Sequence, residues 1–326
     1  MGIKNLNRFL FDHCSKKSIC KIHLSELAGK TLVIDTSIYL YKFSYEDSLI
    51  ENMYLFVSIL KHYKIRPLFI FDGKPPPEKR DLLQRRRMEK KDAENKYMKL
   101  KELIQDVSNN QIDEDIQHEM DKLKKMFIRI HDDEIKKVKM LLDAYGVNYY
   151  DAPGEADQLC AYLVKIGKAW GCISDDMDMF LYGCNFVIRN ISLLNHTAVL
   201  YDTEAILKEL DMSEQIFCEI MVLSGTDYNI HSKTSLKDTI KWYYEYLKYL
   251  KKIENNDTPK YGFYVWLIKN TKYVTDYKIL LKTYQIFHFN YLIDLDKWKN
   301  LEIEDKPIYI NNLHRIMENE GFIFIH

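Results

Sequence analysis

The sequence lacks the features that would place it in a membrane or outside a cell. No apolar run approaches the length of a membrane span, and the first residues do not have the layout of a signal peptide. The six cysteines include no C-x-x-C pair, and no histidine spacing completes a zinc set. We therefore expect a soluble intracellular protein that is not secreted, with free and mostly buried thiols.

The chain also lacks an overall charge, since its net charge at pH 7 is −1. No global basic field attracts nucleic acid, so any such binding must come from local patches. A hydrophobic content of 47% and a charged content of 29% are ordinary for a globular protein, and 326 residues suffice for one large domain or two smaller ones. No internal repeats stand out. The frequent Tyr, Lys, Ile and Asn would suit a large DNA virus, and an AT-rich cellular genome equally.

Two apolar segments end in an aspartate. The β-branched run at 30–35 ends at Asp35, and the run at 66–71 is followed by Asp72 and a glycine. Such runs are typical of buried parallel strands, which deliver a polar side chain at their carboxyl end. Taken alone, Asp35 could equally be a helix N-cap.

The segment 151–183 adds two pairs of acids. Glu155 and Asp157 open a predicted helix, and Asp176 and Asp178 follow a short predicted strand at 169–173. A helix followed by a strand is half of a βαβ unit, in which ligands collect at the carboxyl ends of the strands. Carboxylates gathered there repel one another unless a cation lies between them. Hard oxygen ligands favour Mg²⁺ or Mn²⁺ over zinc, so the pattern predicts a divalent-metal site.

A basic segment follows Asp72. Residues 74–101 contain eleven Lys and Arg and five Asp and Glu, an excess of six positive charges. A solvated helix is the usual meaning of such a run, but its position after an expected metal ligand favours contact with phosphate. Lys79 and Arg86 are seven residues apart, which predicts that they share one helical face.

Hydrophobic spacing predicts the remaining elements. We expect strands at 147–150, 185–189 and 197–201 and a mainly helical chain beyond Tyr228. The polar segment 106–121 suggests a helix–loop–helix bend. Helices are predicted at 3–13, 49–63, 122–145, 203–210 and 213–224, and the third has candidate buried positions at Met126, Ile130, Val138, Leu141 and Leu142.

Six short motifs are spaced along the chain. They are MGIxxL from Met1, VIDTS from Val33, FDGKPP from Phe71, DAPGEAD from Asp151, DDMD from Asp175 and LSGTDY from Leu223. These motifs resemble the flap endonuclease and XPG-type structure-specific 5′ nucleases, within the PIN-like nuclease class. They occur in the family's order and cover roughly residues 1–230, with a weaker match to the end. The GEAD part of the fourth motif and DDMD together are highly specific, whereas FDG alone would not be.

The resemblance implies an α/β fold with a central, mostly parallel, twisted sheet, helices on both faces, a helical arch and a helical C-terminal region with a divergent helix-hairpin. It implies one compact nuclease unit with four regions: an N-terminal nuclease region at 1–100, the rest of the arch and a helix at 101–145, an internal nuclease region at 146–228, and a DNA-binding region at 229–326. A monomer is expected.

The resemblance also implies a two-metal site and its chemistry. Two Mg²⁺ ions about 3.5–4 Å apart, with Mn²⁺ as a substitute, would serve an in-line hydrolysis of a phosphodiester that leaves a 5′-phosphate and a 3′-hydroxyl. Asp176 rather than Asp175 matches the ligand in DDMD. The seven matching carboxylates are Asp35, Asp72, Glu155, Asp157, Asp176, Asp178 and Asp227.

Residues outside the acids match the family's substrate contacts. Lys79 and Arg86 match catalytic basic residues of the arch, next to Arg80 and Arg85, which we also expect to bind DNA. Tyr41 matches an aromatic that stacks on a base, although simple packing on its helix is equally consistent. Gly2 matches an N-terminus that approaches DNA.

The hairpin departs from the family pattern. Residues 231–236 contain no glycine where the family has a G-I-G turn that grips duplex phosphate and K⁺. A K⁺ site is therefore doubtful, and Lys233 and Lys237 could substitute by charge. No sliding-clamp motif is found after Phe322.

The expected substrate is branched or nicked DNA, and the expected function is 5′-flap, nick or gap cleavage in replication, repair or recombination. A 5′→3′ DNA exonuclease and a Holliday-junction resolvase are alternatives in the same class, and a 5′→3′ RNA exonuclease is a weaker one. A catalytically dead DNA-junction binding module is the non-enzymatic alternative. The compartment would be the nucleus, the cytoplasm or a viral replication compartment.

Overall fold

A computed structural model describes residues 3–106, 114–230, 233–253, 261–289, 295–304 and 306–324. These residues form one seven-stranded mixed sheet, in which four of the six strand pairings are parallel. The prediction of a mostly parallel α/β sheet is therefore confirmed. The strands are β1 (Ile19–His23), β2 (Thr31–Asp35), β3 (Arg66–Phe71), β4 (Asn148–Asp151), β5 (Gly171–Ile173), β6 (Phe186–Ser192) and β7 (Thr197–Asp202).

The strand order is β1-β7-β6-β5-β2-β3-β4. Strands β6, β5, β2, β3 and β4 run parallel to their neighbours in this series, while β7 is antiparallel to β6 and β1. Ile34 of β2 is level with Phe69 of β3 on one side and with Ile173 of β5 on the other. The carboxyl ends of these three strands therefore lie side by side at one edge of the sheet.

Strand β1 was not predicted. Its residues do not alternate regularly between buried and exposed positions, and only Ile19 and Ile22 are buried. It lies at the end of the strand order and pairs with β7 alone. A short edge strand needs little apolar surface, so its sequence resembles the polar loops around it.

The helices are α1 (Leu6–His13), α2 (Thr36–Tyr45), α3 (Leu49–His62), α4 (Arg80–Asp106), α5 (Glu114–Met126), α6 (Asp132–Ala144), α7 (Ala156–Lys165), α8 (Thr203–Glu209), α9 (Glu214–Leu223), α10 (Leu236–Ile253), α11 (Phe263–Asn270), α12 (Tyr277–Ile286), α13 (Leu295–Lys299) and α14 (Ile310–Asn319). Within the described ranges, no helix is long and apolar enough to cross a membrane.

The chain divides into two compact units that alternate along the sequence. The first comprises Met1–Thr36, Ser58–Lys74 and Asn148–Glu304, and the second comprises Ser37–Val57, Pro75–Val147 and Asp305–His326. The four regions predicted from sequence follow different boundaries and stay a prediction.

The first unit contains the whole sheet and its main core. Helix α7 packs against β2, β3 and β5, and every residue from Ala156 to Val164 is buried. A helix buried all round belongs to the interior of a protein, so its first turn is held rigidly at the sheet edge. Helices α10, α11 and α12 pack against α9.

The second unit contains most of α2, the first part of α3, and helices α4, α5, α6 and α14. Helices α4 and α5 pack against each other over the segment for which a helical arch is expected. The rings of Tyr39, Phe43 and Phe56 contact one another and form a core for α2 and α3.

The predicted single helix at 122–145 is wrong. Helix α5 ends at Met126 and α6 begins at Asp132, where the Glu134 carboxylate accepts a hydrogen bond from the His131 N–H at 2.7 Å. Such a bond satisfies a backbone donor at a helix start and favours a new helix there. Met126 is accordingly exposed and Ile130 half-buried. The other three predicted core positions, Val138, Leu141 and Leu142, are fully buried.

Candidate active site

Acids follow the carboxyl ends of the three adjacent parallel strands. Asp35 is the last residue of β2, Asp72 follows β3, and Asp176 and Asp178 follow β5 after a short turn. Asp35 and Asp178 are buried, with exposed fractions of 6% and 2%. Parallel pairing alone brings these side chains to one edge of the sheet.

The first turn of α7 joins this edge. Glu155 is the N-cap residue of α7 and Asp157 lies in its first turn, where negative charge interacts favourably with the helix dipole. The Asp72 carboxylate accepts a hydrogen bond from the Ala156 N–H at 2.7 Å. This bond ties the end of β3 to the start of α7 and places acids from both elements near each other.

Close backbone contact between the two loops supports that arrangement. The Gly73 N–H donates to the Gly154 carbonyl at 2.7 Å. A Cβ at Gly73 would lie 2.0 Å from the Ala152 carbonyl oxygen. Only glycine fits there, which explains physically why the aspartate of the FDG motif is followed by glycine.

The DDMD segment folds around its own acids. Asp176 is the N-cap residue of a 3₁₀ helix at Met177–Phe180, and its carboxylate accepts from the Asp178 N–H at 3.0 Å. The Ser174 hydroxyl donates to the Asp35 carboxylate at 3.2 Å and accepts from the Asp176 N–H at 3.2 Å. Ser174 therefore links the acids of β2 and β5. Sequence analysis missed it, although a small polar residue between a strand end and an acid was a visible signal.

Asp175 has a different environment from Asp176. Its carboxylate accepts a hydrogen bond from the Asn190 N–H of β6 at 2.8 Å, and its carbonyl accepts from Arg189. The side chain is thus engaged by the neighbouring strand. The assignment of Asp176, rather than Asp175, as the ligand of this pair stays a prediction.

The loop after α9 brings in Asp227. Gly225 has φ +103°, a conformation that favours glycine and lets the chain turn after the helix. The next residue beyond Asp227 is Tyr228, whose buried hydroxyl donates to the Glu155 carboxylate at 2.5 Å. The loop that contains Asp227 is thereby tied to the acids of α7.

Two buried tyrosines show that several carboxylates share one region. Burial raises the pKa of both Tyr182 and Tyr228 well above the usual value, and the charges of Asp157, Glu155 and Asp178 raise each pKa further. The hydroxyls of the two tyrosines lie 3.3 Å apart. Three of the predicted ligands therefore act on the same pair of phenols. Sequence analysis assigned neither tyrosine a role: Tyr228 was noted only as the last residue of the LSGTDY motif, and Tyr182 has no distinctive local pattern.

The donor set is suited to a hard cation. It consists of carboxylate oxygens, the ligands that Mg²⁺ and Mn²⁺ prefer, and ionised acids so close together repel one another unless a cation compensates. Among the residues that the structure describes, however, no three His, Cys, Asp or Glu side chains converge closely enough to hold an ion. The structure thus places acids at one edge of the sheet and connects several of them through hydrogen bonds, but it does not gather three of the described acids around one point.

The predicted basic residues lie in the second unit. Lys79 ends a 3₁₀ turn at Pro77–Lys79 directly before α4, and Arg80 is the first residue of α4. Because Lys79 precedes the α-helix, it and Arg86 do not share one continuous α-helical face. Arg85 is exposed, and its Nε atom lies 3.6 Å from a carboxylate oxygen of Glu89.

Tyr41 lies close to Lys90 in the same unit. The Lys90 ammonium is 4.9 Å from the ring centre of Tyr41 and donates to the Ile128 carbonyl at 2.9 Å. The pKa of Lys90 is lowered by burial first, and then by the charges of Arg129 and Arg86. Tyr41 remains 47% exposed. The structure therefore groups Tyr41, Lys90 and Arg86.

The hairpin region is described only in part. Lys233 and Lys237 are exposed, and Lys237 lies in the first turn of α10. The loop before them is held by side chains, since the Asn229 side chain accepts from the Thr226 N–H at 2.5 Å and donates to the Val222 carbonyl at 2.9 Å. Gly2, 231 and 232 lie outside the described residues.

Models of known protein families match two parts of the chain. The XPG N-terminal domain matches residues 1–93, and the XPG I-region matches residues 146–227. Together these segments contain all seven acids, and Asp227 is the last residue of the second match.

Relatives include viral, archaeal and fungal proteins. A probable RAD2-like endonuclease of Invertebrate iridescent virus 6 is 28% identical over 78% of this chain and 73% of its own length. Flap endonuclease 1 of Methanococcus aeolicus is 31% identical, over 82% of each chain. Flap endonuclease 1 of Meyerozyma guilliermondii is 29% identical over 70% of this chain, which spans only 63% of that relative.

Solved structures share the fold. The catalytic core of Rad2 has a TM-score of 0.66 at 22% identity, covering 99% of this chain and 96% of that one. The Holliday junction-resolving enzyme GEN1, in complex with product DNA and a Mg²⁺ ion, has a TM-score of 0.59 at 17% identity over 98% of this chain and 73% of its own. With both XPG domains, a 31% identical flap endonuclease and the acids at the sheet edge, the chain belongs to the flap endonuclease and XPG family of structure-specific 5′ nucleases.

Proposed function

We propose that this protein is a Mg²⁺-dependent structure-specific 5′ nuclease that hydrolyses phosphodiester bonds in 5′-flap, nicked or gapped DNA. The observation that supports this most strongly is the set of acids at the carboxyl ends of β3, β2 and β5 and at the start of α7. Membership of the flap endonuclease family supports the same reaction.

The acids would hold two divalent ions, with Mn²⁺ able to replace Mg²⁺. The Mg²⁺ ion in the GEN1 complex supports the choice of metal. When bound, the ions would supply activation of water and stabilisation of the leaving oxygen, which gives a 5′-phosphate product. The ligands would be Asp35, Asp72, Glu155, Asp157, Asp176, Asp178 and Asp227.

Residues around the acids would hold them in position for this reaction. Ser174 donates to Asp35, and Tyr228 donates to Glu155. A hydrogen bond to a ligand carboxylate fixes its orientation and tunes its affinity for the metal. Buried donors do this without help from solvent, so the orientation of both acids is set before substrate binds.

Basic and aromatic residues of the second unit would contact DNA. Lys79 and Arg86 would stabilise negative charge that develops on the scissile phosphate, and Arg80 and Arg85 would add attraction for the backbone. Lys90 lies over one face of Tyr41, which leaves the exposed part of the ring for stacking on a base.

The duplex would be held partly by charge. Lys233 and Lys237 would contact phosphate beside a loop that side chains of Thr226 and Asn229 already hold. Because the segment lacks the glycines of a G-I-G turn, no K⁺ site is proposed.

Cleavage of a 5′-labelled double-flap DNA in Mg²⁺ tests the proposal, with a nicked duplex, a four-way junction and single-stranded RNA as parallel substrates. We expect the intact flap to be released near the junction and Asp176→Ala to bind the same DNA without cutting it. Stepwise mononucleotides from the nick would instead indicate a 5′→3′ exonuclease, and symmetric cuts in the four-way junction a resolvase. Binding without cleavage of any substrate would contradict the proposal and indicate a junction-binding module.

A further inference from the structure

Arg189 is a buried arginine in β6 directed at the acidic DDMD segment. Only 8% of its surface is exposed. One terminal nitrogen donates to the Asp175 carbonyl at 2.8 Å, and the other donates to the Asn7 side chain of α1 at 2.9 Å. A buried charge is costly unless it is well bonded, so loss of either hydrogen-bond partner would leave the Arg189 charge poorly compensated.

The partners of Arg189 form a closed network. The Tyr201 hydroxyl donates to the same Asn7 oxygen at 2.8 Å, and the Arg189 guanidinium lies 5.5 Å from the centre of the Tyr201 ring. The Nε atom of Arg189 has no hydrogen-bond partner among the described residues. The guanidinium is therefore held by its two terminal nitrogens, which connect α1 to Asp175.

Asp175 is restrained at both its carbonyl and its carboxylate. Arg189 binds the carbonyl, and the Asn190 N–H binds the carboxylate at 2.8 Å. Asn190, which makes the second of these bonds, has φ +52° in the left-handed region. The residue immediately before Asp176 is thus fixed to β6 from two directions.

We propose that Arg189 is a positioning residue that sets the geometry of Asp176 and Asp178 for metal binding by clamping Asp175 between β6 and α1. This inference rests on the metal site of the proposed function. Its physical basis is that a displaced Asp175 carbonyl moves the N-cap of the 3₁₀ helix, and both acids of the segment lie within three residues of it. Arg189 does not itself bind the ion or the substrate.

Direct titration of the protein with Mn²⁺, followed by the electron paramagnetic resonance signal of the free ion, tests the inference without relying on cleavage. Arg189→Met removes the donors and keeps much of the apolar stem. Arg66→Met is the matched control, because Arg66 is an exposed arginine at the opposite end of a strand, β3. Loss of an outer partner typically weakens metal binding about 10- to 100-fold, so we expect at least about a tenfold rise in the Kd for Arg189→Met and no change for Arg66→Met.

Arg189→Lys should fall between wild type and Arg189→Met, because an ammonium keeps the charge but cannot bridge both partners in the geometry of a guanidinium. Asn7→Ala removes the second partner of Arg189 without altering β6 and should also weaken Mn²⁺ binding. If Arg189→Met does not fold, the comparison of Asn7→Ala with Arg66→Met decides the matter.

Unfolding in urea with EDTA separates positioning from stability. A merely structural role predicts lower stability in EDTA with wild-type Mn²⁺ affinity, and that result would overturn the inference. Wild-type protein that binds Mn²⁺ but cuts no DNA would refute the proposed function, while the affinities would still decide the role of Arg189. Wild-type protein that binds no Mn²⁺ would overturn both.

Discussion

The substitution Tyr228→Phe tests the contribution of one buried hydrogen bond, the bond from the Tyr228 hydroxyl to the Glu155 carboxylate. Tyr228 is 7% exposed, and its hydroxyl donates to Glu155 at 2.5 Å. Each phenol has a single O–H, so with that of Tyr228 directed to Glu155, the 3.3 Å contact to the fully buried Tyr182 must be donated by Tyr182. Tyr228→Phe therefore deletes one donor and one acceptor together.

The expected loss of stability follows from these two bonds. A hydrogen bond to a charged group contributes about 1.5–3 kcal/mol, and Glu155 is half-buried, so water can replace part of this bond and the lower value applies. The Tyr182 hydroxyl loses its acceptor in the interior, which costs about 1 kcal/mol more. We expect Tyr228→Phe to lower the free energy of unfolding by about 2–3 kcal/mol.

Urea unfolding at pH 7 in EDTA measures this difference in the absence of metal. Tyr182→Phe should lose only about 1 kcal/mol, since Tyr228 keeps its bond to Glu155. Tyr244→Phe is the control, because Tyr244 is 53% exposed on α10, and it should match wild type. The reasoning is refuted if Tyr228→Phe unfolds at the wild-type urea concentration, or if Tyr244→Phe loses as much stability.

Four further substitutions give distinct results. Asp176→Asn should reduce cleavage by at least about 100-fold. It should also raise the free energy of unfolding in EDTA by on the order of 1 kcal/mol, because it relieves repulsion between carboxylates. An equal or lower free energy of unfolding in EDTA would contradict this. Asp175→Asn should cleave like wild type, since its side-chain oxygen still accepts from Asn190. Arg86→Ala should slow cleavage about 10²–10³-fold with an unchanged urea midpoint. Burial raises the pKa of Glu219 above its ordinary 4.5, so the native state binds more protons and stability falls as pH rises through 4.5 toward the raised pKa. Glu219→Gln should remove that fall, and a wild-type pH profile of urea midpoints would refute it.

The position of the acids was predictable because it follows from topology. Apolar runs that end in Asp35 and Asp72 are typical of buried parallel strands, and parallel strands in one sheet end at the same edge. The structure confirms that β2 and β3 are parallel neighbours. No knowledge of side-chain contacts was needed for that step, so it could be taken from the sequence.

Local helix boundaries were less predictable. The apolar spacing of 122–145 continues through residues 127–131, but the bond from His131 to Glu134 starts a second helix. Strand β1 was missed because an edge strand with two buried residues has little hydrophobic pattern. In the first case the deciding interaction is a hydrogen bond from a backbone N–H to the Glu134 carboxylate, and in the second it is backbone pairing with β7. The hydrophobic periodicity of the side chains records neither of them.

The residues that support the acids could not be found from sequence, for a different reason. Tyr228 follows Asp227 in the chain, yet its partner Glu155 is 73 positions away, and Arg189 reaches Asn7 across 182 positions. A tyrosine or arginine on an apolar strand or loop is compatible with ordinary packing, and only the tertiary fold distinguishes one that bonds an acid. Acids at the carboxyl ends of β2, β3 and β5 are thus encoded by strand ends, whereas the groups that hydrogen-bond to the acids are encoded by the packing of elements distant in sequence. Substitutions at Tyr228 and Arg189 therefore test the structure in a way that substitutions at the acids cannot, because the acids were already expected from the chain alone.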